Sequence, residues 1–185
     1  MQKINEIISL LLGSFLVLVA CFGTAQAQED PVAKRLEKRS AEVREQFQDV
    51  RHISPEDFLA LEQTPLLIDV READEYAVSR LPDARHADNE TTLLALAEQA
   101  GDRPVVVYCS LGVRSSRAAQ LLRENGYTNV ANLDGSLFRW ANEGRALENA
   151  AGPTELAHPF NLWWGRYLRR ELHARQPRLE DADQE

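Results

Sequence analysis

Residues 104–108 (PVVVY) constrain the fold most strongly, because they combine β-branched and aromatic side chains and carry no charge. A short run of this kind is typical of a strand that is buried on both faces, as in a parallel sheet. Similar short runs occur at 66–70, near 84–87 and at 130–133, and helical segments separate them. This alternation predicts an α/β fold with a mostly parallel central sheet and helices on both faces.

The helix boundaries follow from local signals. Ser54 and Pro55 combine an N-cap residue with a proline suited to the first helical turn, and Asn125-Gly126 is a typical C-terminal stop. Helices are expected at 31–50, from 55, at 72–78, at 91–100 and at 115–124, with a further segment that opens at Gly135.

The first 27 residues predict a secretory signal peptide. Lys3 precedes an apolar run at 7–20, which is shorter than the roughly 20 residues that a membrane span needs. Residues 25–27 (AQA) are typical of a signal peptidase site, and polar residues follow at once. We therefore expect an exported, periplasmic protein that starts near Gln28, and an uncleaved membrane anchor is the alternative.

A second processing site overlaps the first. Residues 18–21 (LVAC) resemble a lipoprotein signal, in which Cys21 would be lipidated after cleavage. The alanine-rich site at 25–27 favours a soluble mature chain over a lipid-anchored one.

Length and charge suit one domain with extensions. The chain has 185 residues and a formal net charge of −8, which argues against nucleic acid as a partner because phosphate binding needs an excess of Lys and Arg. Beyond the signal peptide at 1–27, we expect a helical extension at 28–50, a domain at 51–150 and an amphipathic extension at 151–185.

Cys109 is the candidate nucleophile. It is the only cysteine that remains after signal cleavage, and it follows the strand at 104–108 directly. Ligands of open α/β sheets bind at the carboxyl ends of strands. A helix is expected to begin just after Arg114, and helix N-termini lower the pKa of a nearby thiol. The alternative is an inert thiol buried in the core.

The segment after Cys109 is suited to an anionic sulfur. Gly112 permits a tight curl, so that backbone N–H groups of the loop point inward. Arg114 adds a fixed positive charge with a planar fork suited to an oxyanion. The predicted result is a small electropositive cup around one sulfur atom.

Four ordered motifs resemble the rhodanese family. They are 109–115 (CSLGVRS), 67–71 (LIDVR) with Glu75-Tyr76, 81–84 (LPDA), and 133–136 (LDGS) followed by Trp140 and Gly144. Together they span about residues 50–150. Asp83 and Ser136 stand where the family has glycine, and both positions lie outside the catalytic loop.

The resemblance implies a rhodanese-like fold and a sulfurtransferase. Cys109 would take a sulfane sulfur from a donor such as thiosulfate, become a persulfide, and pass the sulfur to cyanide or a thiol. The resemblance implies no metal or organic cofactor. The substrate-binding residues would be those of the loop, namely Ser110, Leu111, Gly112, Val113 and Arg114.

Three further residues are assigned supporting roles. Ser115 follows the loop, and Asp69 ends a neighbouring strand, from which it would brace the loop together with Arg71. The alternative, which we favour, is that Asp69, Arg71 and Glu75 form a structural charge cluster.

The C-terminal extension predicts an amphipathic helix within 153–178. Phe160, Trp164, Leu168 and Leu172 recur at every fourth position, and several arginines lie among them. We expect the helix to pack its aromatic side chains on the domain. The alternatives are docking to an envelope protein partner and peripheral contact with an anionic membrane surface.

Two other functions remain open. A phosphatase on the same scaffold would need a cysteine loop one residue longer, whereas only four residues separate Cys109 and Arg114 here. A non-catalytic module that carries sulfur or binds a partner in the cell envelope is the second.

Overall fold

The computed structural model describes residues 30–175. The expected signal peptide and Cys21 lie outside the described residues, as do residues 176–185 at the other end. Within residues 30–175, none of the helices has the length and apolar character needed to cross a membrane. Export and the division into a domain with two extensions stay predictions.

The described chain alternates helices and strands, as the sequence predicts. In chain order the elements are α1 Pro31–Gln46, β1 His52–Ile53, α2 Pro55–Leu59, β2 Leu66–Asp69, α3 Ala73–Val78, β3 Arg85–His86, α4 Glu90–Glu98, β4 Val105–Tyr108, α5 Val113–Glu124, β5 Val130–Leu133, α6 Ser136–Asn142, β6 Leu147–Asn149 and β7 Gly152–Thr154.

Five parallel strands form the central sheet in the order β1–β5–β4–β2–β3. Every residue of β2, β4 and β5 is buried. Because successive side chains of a strand point to opposite faces, complete burial requires that both faces be covered. The predicted α/β class with a mostly parallel sheet is therefore confirmed.

Helix starts agree with the local signals, with one shift that affects the site. The Ser54 hydroxyl accepts a hydrogen bond from the Asp57 N–H at 3.0 Å, as an N-cap does. Helix α5 begins at Val113, earlier than the predicted residue 115, and its N-cap is Gly112 with φ of 120°. Glycine adopts this angle without steric cost. Arg114 consequently lies in the first turn of α5 instead of before it.

The N-terminal helix packs into the same core as the sheet. Leu36 and Val43 of α1 are buried, and a Cβ placed on Gly112 would lie 3.5 Å from a methyl group of Val43. Arg44 forms an ion pair with Asp134 at 2.6 Å. Helix α1 therefore supports the segment that follows Cys109.

The predicted amphipathic helix at 153–178 is wrong. Over the described part of that range the only helical pieces are two 3₁₀ turns, Gly165–Tyr167 and Arg170–Leu172. Pro159 has no N–H to donate to a helix, and Phe160 adopts φ of 65°, which lies outside the helical region.

Residues 157–173 instead form a closed loop, here named the C-terminal loop. Its ends are joined because the Ala157 N–H donates to the Leu172 carbonyl at 2.7 Å and the Ala174 N–H donates to the Ala157 carbonyl at 2.9 Å. Asn142 of α6 fixes it to the domain, since its side chain donates to the Tyr167 carbonyl and accepts from the Arg169 N–H, both at 2.8 Å. The extension thus contacts the domain without forming a helix.

The two residues that replace family glycines both adopt left-handed backbone conformations. Asp83 has φ of 61° and Ser136 has φ of 50°. These angles explain why glycine suits both positions, and Asp is among the side chains that tolerate them best.

Candidate active site

Cys109 lies at the carboxyl edge of the sheet, where β4 ends. It is 2% exposed and forms part of the wall of a cavity of about 270 Å³. The sulfur accepts a hydrogen bond from the Gly112 N–H at 3.0 Å, so the loop curls back over it as expected.

The surroundings favour the thiolate of Cys109. Burial alone raises the pKa of the thiol, because a charge is poorly solvated there. The Arg114 charge, the hydroxyl and N–H of Ser115, and the N–H of Gly112 outweigh that effect and bring the pKa below its ordinary value. Ser115 is therefore among the residues whose polar groups favour the thiolate.

Arg114 is held by a carboxylate and not by the loop alone. Its two terminal nitrogens donate to the two oxygens of Glu75 at 2.6 and 2.9 Å, and one of them also donates to the Ser110 hydroxyl at 3.0 Å. Ser110 in turn donates to Glu75 at 2.6 Å. Burial raises the pKa of Glu75, but the bonds from Arg114 and Ser110 lower it overall, so Glu75 is a carboxylate. The terminal nitrogens of Arg114 are thus bonded to protein side chains, those of Glu75 and Ser110.

The expected charge cluster is divided by the structure. Asp69 and Arg71 form a fully buried pair, with the closest contact at 2.6 Å, and Arg71 also donates to the Ser79 carbonyl at 2.6 Å. The Arg71 guanidinium lies 5.9 Å from the ring centre of Tyr108, which precedes Cys109. Of the three residues, only Glu75 bonds to the loop after Cys109, through Ser110 and Arg114. Asp69 and Arg71 support the site through Tyr108 and do not line the cavity.

The start of α6 fixes the loop from the other side. The Ser136 hydroxyl accepts from the Cys109 N–H at 3.2 Å, and the N–H groups of Leu137 and Phe138 donate to the carbonyls of Cys109 and Ser110 at 3.0 Å each. Ser136, which replaces a family glycine, therefore positions the backbone of Cys109.

The cavity has an aromatic wall from the C-terminal loop. Phe160 and Trp164 line it together with Leu111 and Val113. The Arg114 guanidinium lies 5.0 Å from the ring centre of Phe160, a distance typical of a cation–π contact. The predicted loop residues 109–114 surround the sulfur, and the wall opposite them lies far away in sequence.

Sequence reasoning missed four residues of this site. The sequence places Glu75 in a structural cluster, shows Ser136 only as a replaced glycine, and predicts a helix for Phe160 and Trp164. The hydroxyl of Ser136 and the position of Pro159 before Phe160 are the signals that would have pointed to these roles.

Comparison with known proteins places this geometry in a family. The family described as Rhodanese-like domain matches residues 54–143. The chain is 36% identical over 93 residues to the thiosulfate sulfurtransferase GlpE of Pseudomonas savastanoi pv. phaseolicola, which is 50% of this chain and 88% of that protein. It is 37% identical over 86 residues to a sulfurtransferase of Allochromatium vinosum, which is 46% of this chain and 80% of that protein.

One further relative and one solved structure are also similar to this chain. The Bacillus subtilis protein YqhL, described as uncharacterized, is 36% identical over 97 residues, or 52% of this chain and 77% of its own. The crystal structure of a thiosulfate sulfurtransferase from Pseudomonas aeruginosa superimposes with a TM-score of 0.51 at 25% identity. That match covers 65% of this chain but only 24% of the Pseudomonas protein.

Proposed function

Because this chain belongs to the rhodanese-like family, we propose that it is a sulfurtransferase that carries a sulfane sulfur on Cys109. The thiolate attacks the outer sulfur of a donor such as thiosulfate, and the S–S bond of the donor breaks. Sulfite leaves with the electron pair of that bond. The enzyme is then a persulfide, whose outer sulfur bears the negative charge.

The observation that carries the proposal is the set of donors around the sulfur. The N–H groups of Gly112 and Ser115 and the hydroxyl of Ser115 stabilise the anionic form of Cys109 in a buried site. Donors that are fixed before the reaction stabilise charge without reorganisation. The same cup suits a thiolate and a persulfide anion.

The second half-reaction returns the free enzyme. A cyanide ion or a thiolate attacks the outer sulfur, the S–S bond to Cys109 breaks, and Cys109 regains its thiolate. The acceptor leaves as thiocyanate or as a persulfide. Beyond the donor and the acceptor, neither half-reaction requires a group that the described residues do not supply.

The position of Arg114 bears on the phosphatase alternative. A phosphatase needs the guanidinium fork to bind the phosphate oxygens. Here both terminal nitrogens of Arg114 are bonded to Glu75, and Glu75 is 1% exposed. Because the same pairing would meet the anionic thiosulfate, what favours sulfur over phosphate is the length of the loop, in which four residues separate Cys109 and Arg114.

We further propose that the protein works in the cell envelope, as the apolar run at 7–20 and the alanine-rich site at 25–27 predict. In that compartment a non-catalytic sulfur carrier is the second candidate function. It shares the persulfide and differs in lacking turnover.

The test is the Cys109→Ser variant. Serine keeps the size of the side chain but has no thiolate, so we expect a folded protein without sulfur transfer from thiosulfate to cyanide. Wild-type protein treated with thiosulfate should gain the mass of one sulfur atom on the peptide that contains Cys109, and cyanide should remove it.

In the uncleaved chain of 185 residues, Cys21→Ser is the matched control, because it changes the only other cysteine. It should keep full activity. Sulfur transfer at the wild-type rate by Cys109→Ser would overturn the proposal. A stable persulfide without turnover would favour the carrier instead.

A further inference from the structure

Two segments outside the family match meet beside the active site. The match covers residues 54–143, whereas α1 precedes it and the C-terminal loop follows it. The Arg35 guanidinium of α1 donates to the Arg166 carbonyl of the loop at 2.8 Å, and Arg169 forms an ion pair with Asp30 at 2.8 Å. The contact between these segments forms a surface that the family domain alone does not have.

A groove of about 450 Å³ lies at this contact. Its size is within the range of small-molecule sites. It is lined by four cationic side chains and one carboxylate, namely Arg35, Lys38, Arg39, Arg166 and Glu42. On a chain whose formal net charge is −8, this is a local reversal of sign, which attracts anions.

Most of the positive charge in the groove is not neutralised. Glu42 pairs with Arg39 at 2.9 Å. Arg35, Lys38 and Arg166 form no ion pair with any carboxylate of residues 30–175. The Arg166 guanidinium lies 4.0 Å from the ring centre of Trp163, whose residue is 65% exposed. The groove thus offers free cations beside an exposed aromatic surface.

Trp164 connects the groove with the active-site cavity. Its side chain lines the groove on one side and the cavity that contains Cys109 on the other. The Arg39 guanidinium lies 5.4 Å from its ring centre, which holds the ring between the two spaces. A molecule that spans both spaces would pass beside one tryptophan.

We propose that the groove binds the carboxylates of a small acidic thiol, which is the sulfur acceptor of this enzyme. The acceptor places its acid groups against Lys38 and Arg166 and its sulfur past Trp164 beside Cys109. Its thiolate attacks the outer sulfur of the persulfide, the S–S bond breaks, and the electron pair stays on Cys109. The acceptor leaves as an acidic persulfide. This inference rests on the proposed function.

The first test measures binding without turnover. S-methylglutathione carries two carboxylates and has no free thiol, so it occupies the groove but does not react. Tryptophan fluorescence should report its binding to the full chain, because Trp163 and Trp164 line the groove. Lys38→Glu should weaken the affinity roughly fivefold or more, and raising the salt concentration should weaken it in wild type.

Arg123→Glu is the charge-matched control. It lies on α5 ten residues after Val113, or about 15 Å along the helix from the end that meets the active site. It should bind S-methylglutathione as wild type does. Equal affinities of wild type and Lys38→Glu, or no binding at all, would overturn the inference.

The second test measures transfer. For glutathione as acceptor, kcat/KM should fall roughly fivefold or more in Lys38→Glu. With the uncharged thiol 2-mercaptoethanol or with cyanide it should be unchanged, because neither has a carboxylate to place in the groove. Equal losses with all acceptors would refute the groove while leaving the sulfurtransferase in place. If wild type transfers no sulfur to cyanide, the proposed sulfurtransferase activity is refuted. The fluorescence titration would still decide whether the groove binds S-methylglutathione.

Discussion

The hydroxyl of Ser115 offers the sharpest test of how this fold activates a thiol. Ser115 is fully buried and Cys109 is 2% exposed, so water does not replace a lost donor. A hydrogen bond to a charged group contributes about 1.5 kcal/mol or more, which corresponds to about a tenfold change in an equilibrium. In Ser115→Ala the pKa of Cys109 should therefore rise, and below that pKa the thiolate population should fall about tenfold.

The effect of Ser115→Ala on the rate of alkylation should have opposite signs at low and at high pH. A less acidic thiol forms a more reactive thiolate, with a Brønsted exponent of about 0.4–0.5, so each thiolate should react about threefold faster. At low pH the loss of thiolate dominates, and iodoacetamide should modify Ser115→Ala about three- to fourfold more slowly than wild type. At high pH both proteins are fully ionised, and the variant should react about threefold faster. The two pH–rate curves should cross.

Ser116→Ala is the matched control, because its buried hydroxyl donates to the Gly112 carbonyl at 2.7 Å and does not contact the sulfur. Its curve should follow that of wild type. Mass mapping of the alkylated peptide restricts the measurement to Cys109. If Ser115→Ala also follows wild type at both ends of the pH range, the assignment of Ser115 as a donor to the thiolate is refuted.

Two stability predictions complete the set. Glu75→Gln should lower the free energy of unfolding by about 2 kcal/mol at neutral pH, because Arg114 loses a buried carboxylate partner. Since folding lowers the pKa of Glu75, this difference in unfolding free energy should shrink as pH falls through that pKa. Urea unfolding of both proteins at two pH values measures it. A loss of stability that does not depend on pH would contradict the ion pair. Asp83→Gly should raise stability by about 0.5 kcal/mol by relieving the left-handed backbone, whereas Ser136→Gly should lower it by about 1–2 kcal/mol because the buried Cys109 N–H loses its acceptor. Urea unfolding that gave both glycine variants the same sign would contradict the role of Ser136.

The sheet was predictable from short-range patterns. Apart from Asp69 and Asn132, the residues of β2, β4 and β5 are apolar because each strand is buried on both faces, and that pattern is visible in a four-residue window. Strands β1 and β3 have only two residues each, too few to carry a periodicity, and of the two only β3 is predicted. The hairpin of β6 and β7 was missed for a different reason, because Ala150 and Ala151 at its turn are not typical turn residues.

The candidate site was predictable only where it is local. Cys109, Gly112 and Arg114 form one continuous motif, and the structure keeps them together. Glu75 bonds to Arg114 across 39 residues, and no local pattern shows which of several acidic residues will pair with an arginine. The aromatic wall shows the opposite kind of error, in which a local pattern predicts a structure that does not form. Apolar residues at every fourth position predict a helix even where a proline prevents one.

The ion pair of Asp30 with Arg169 has a consequence for how this domain is attached to anything else. It fixes Asp30, at the start of α1, against the C-terminal loop. A fluorophore, affinity tag or immobilising linker placed before Asp30 would thus begin beside the C-terminal loop, which supplies the aromatic wall of the cavity that contains Cys109. The exposed turn at Gly101-Asp102 lies before β4, at the opposite edge of the sheet, and is the better position for a probe.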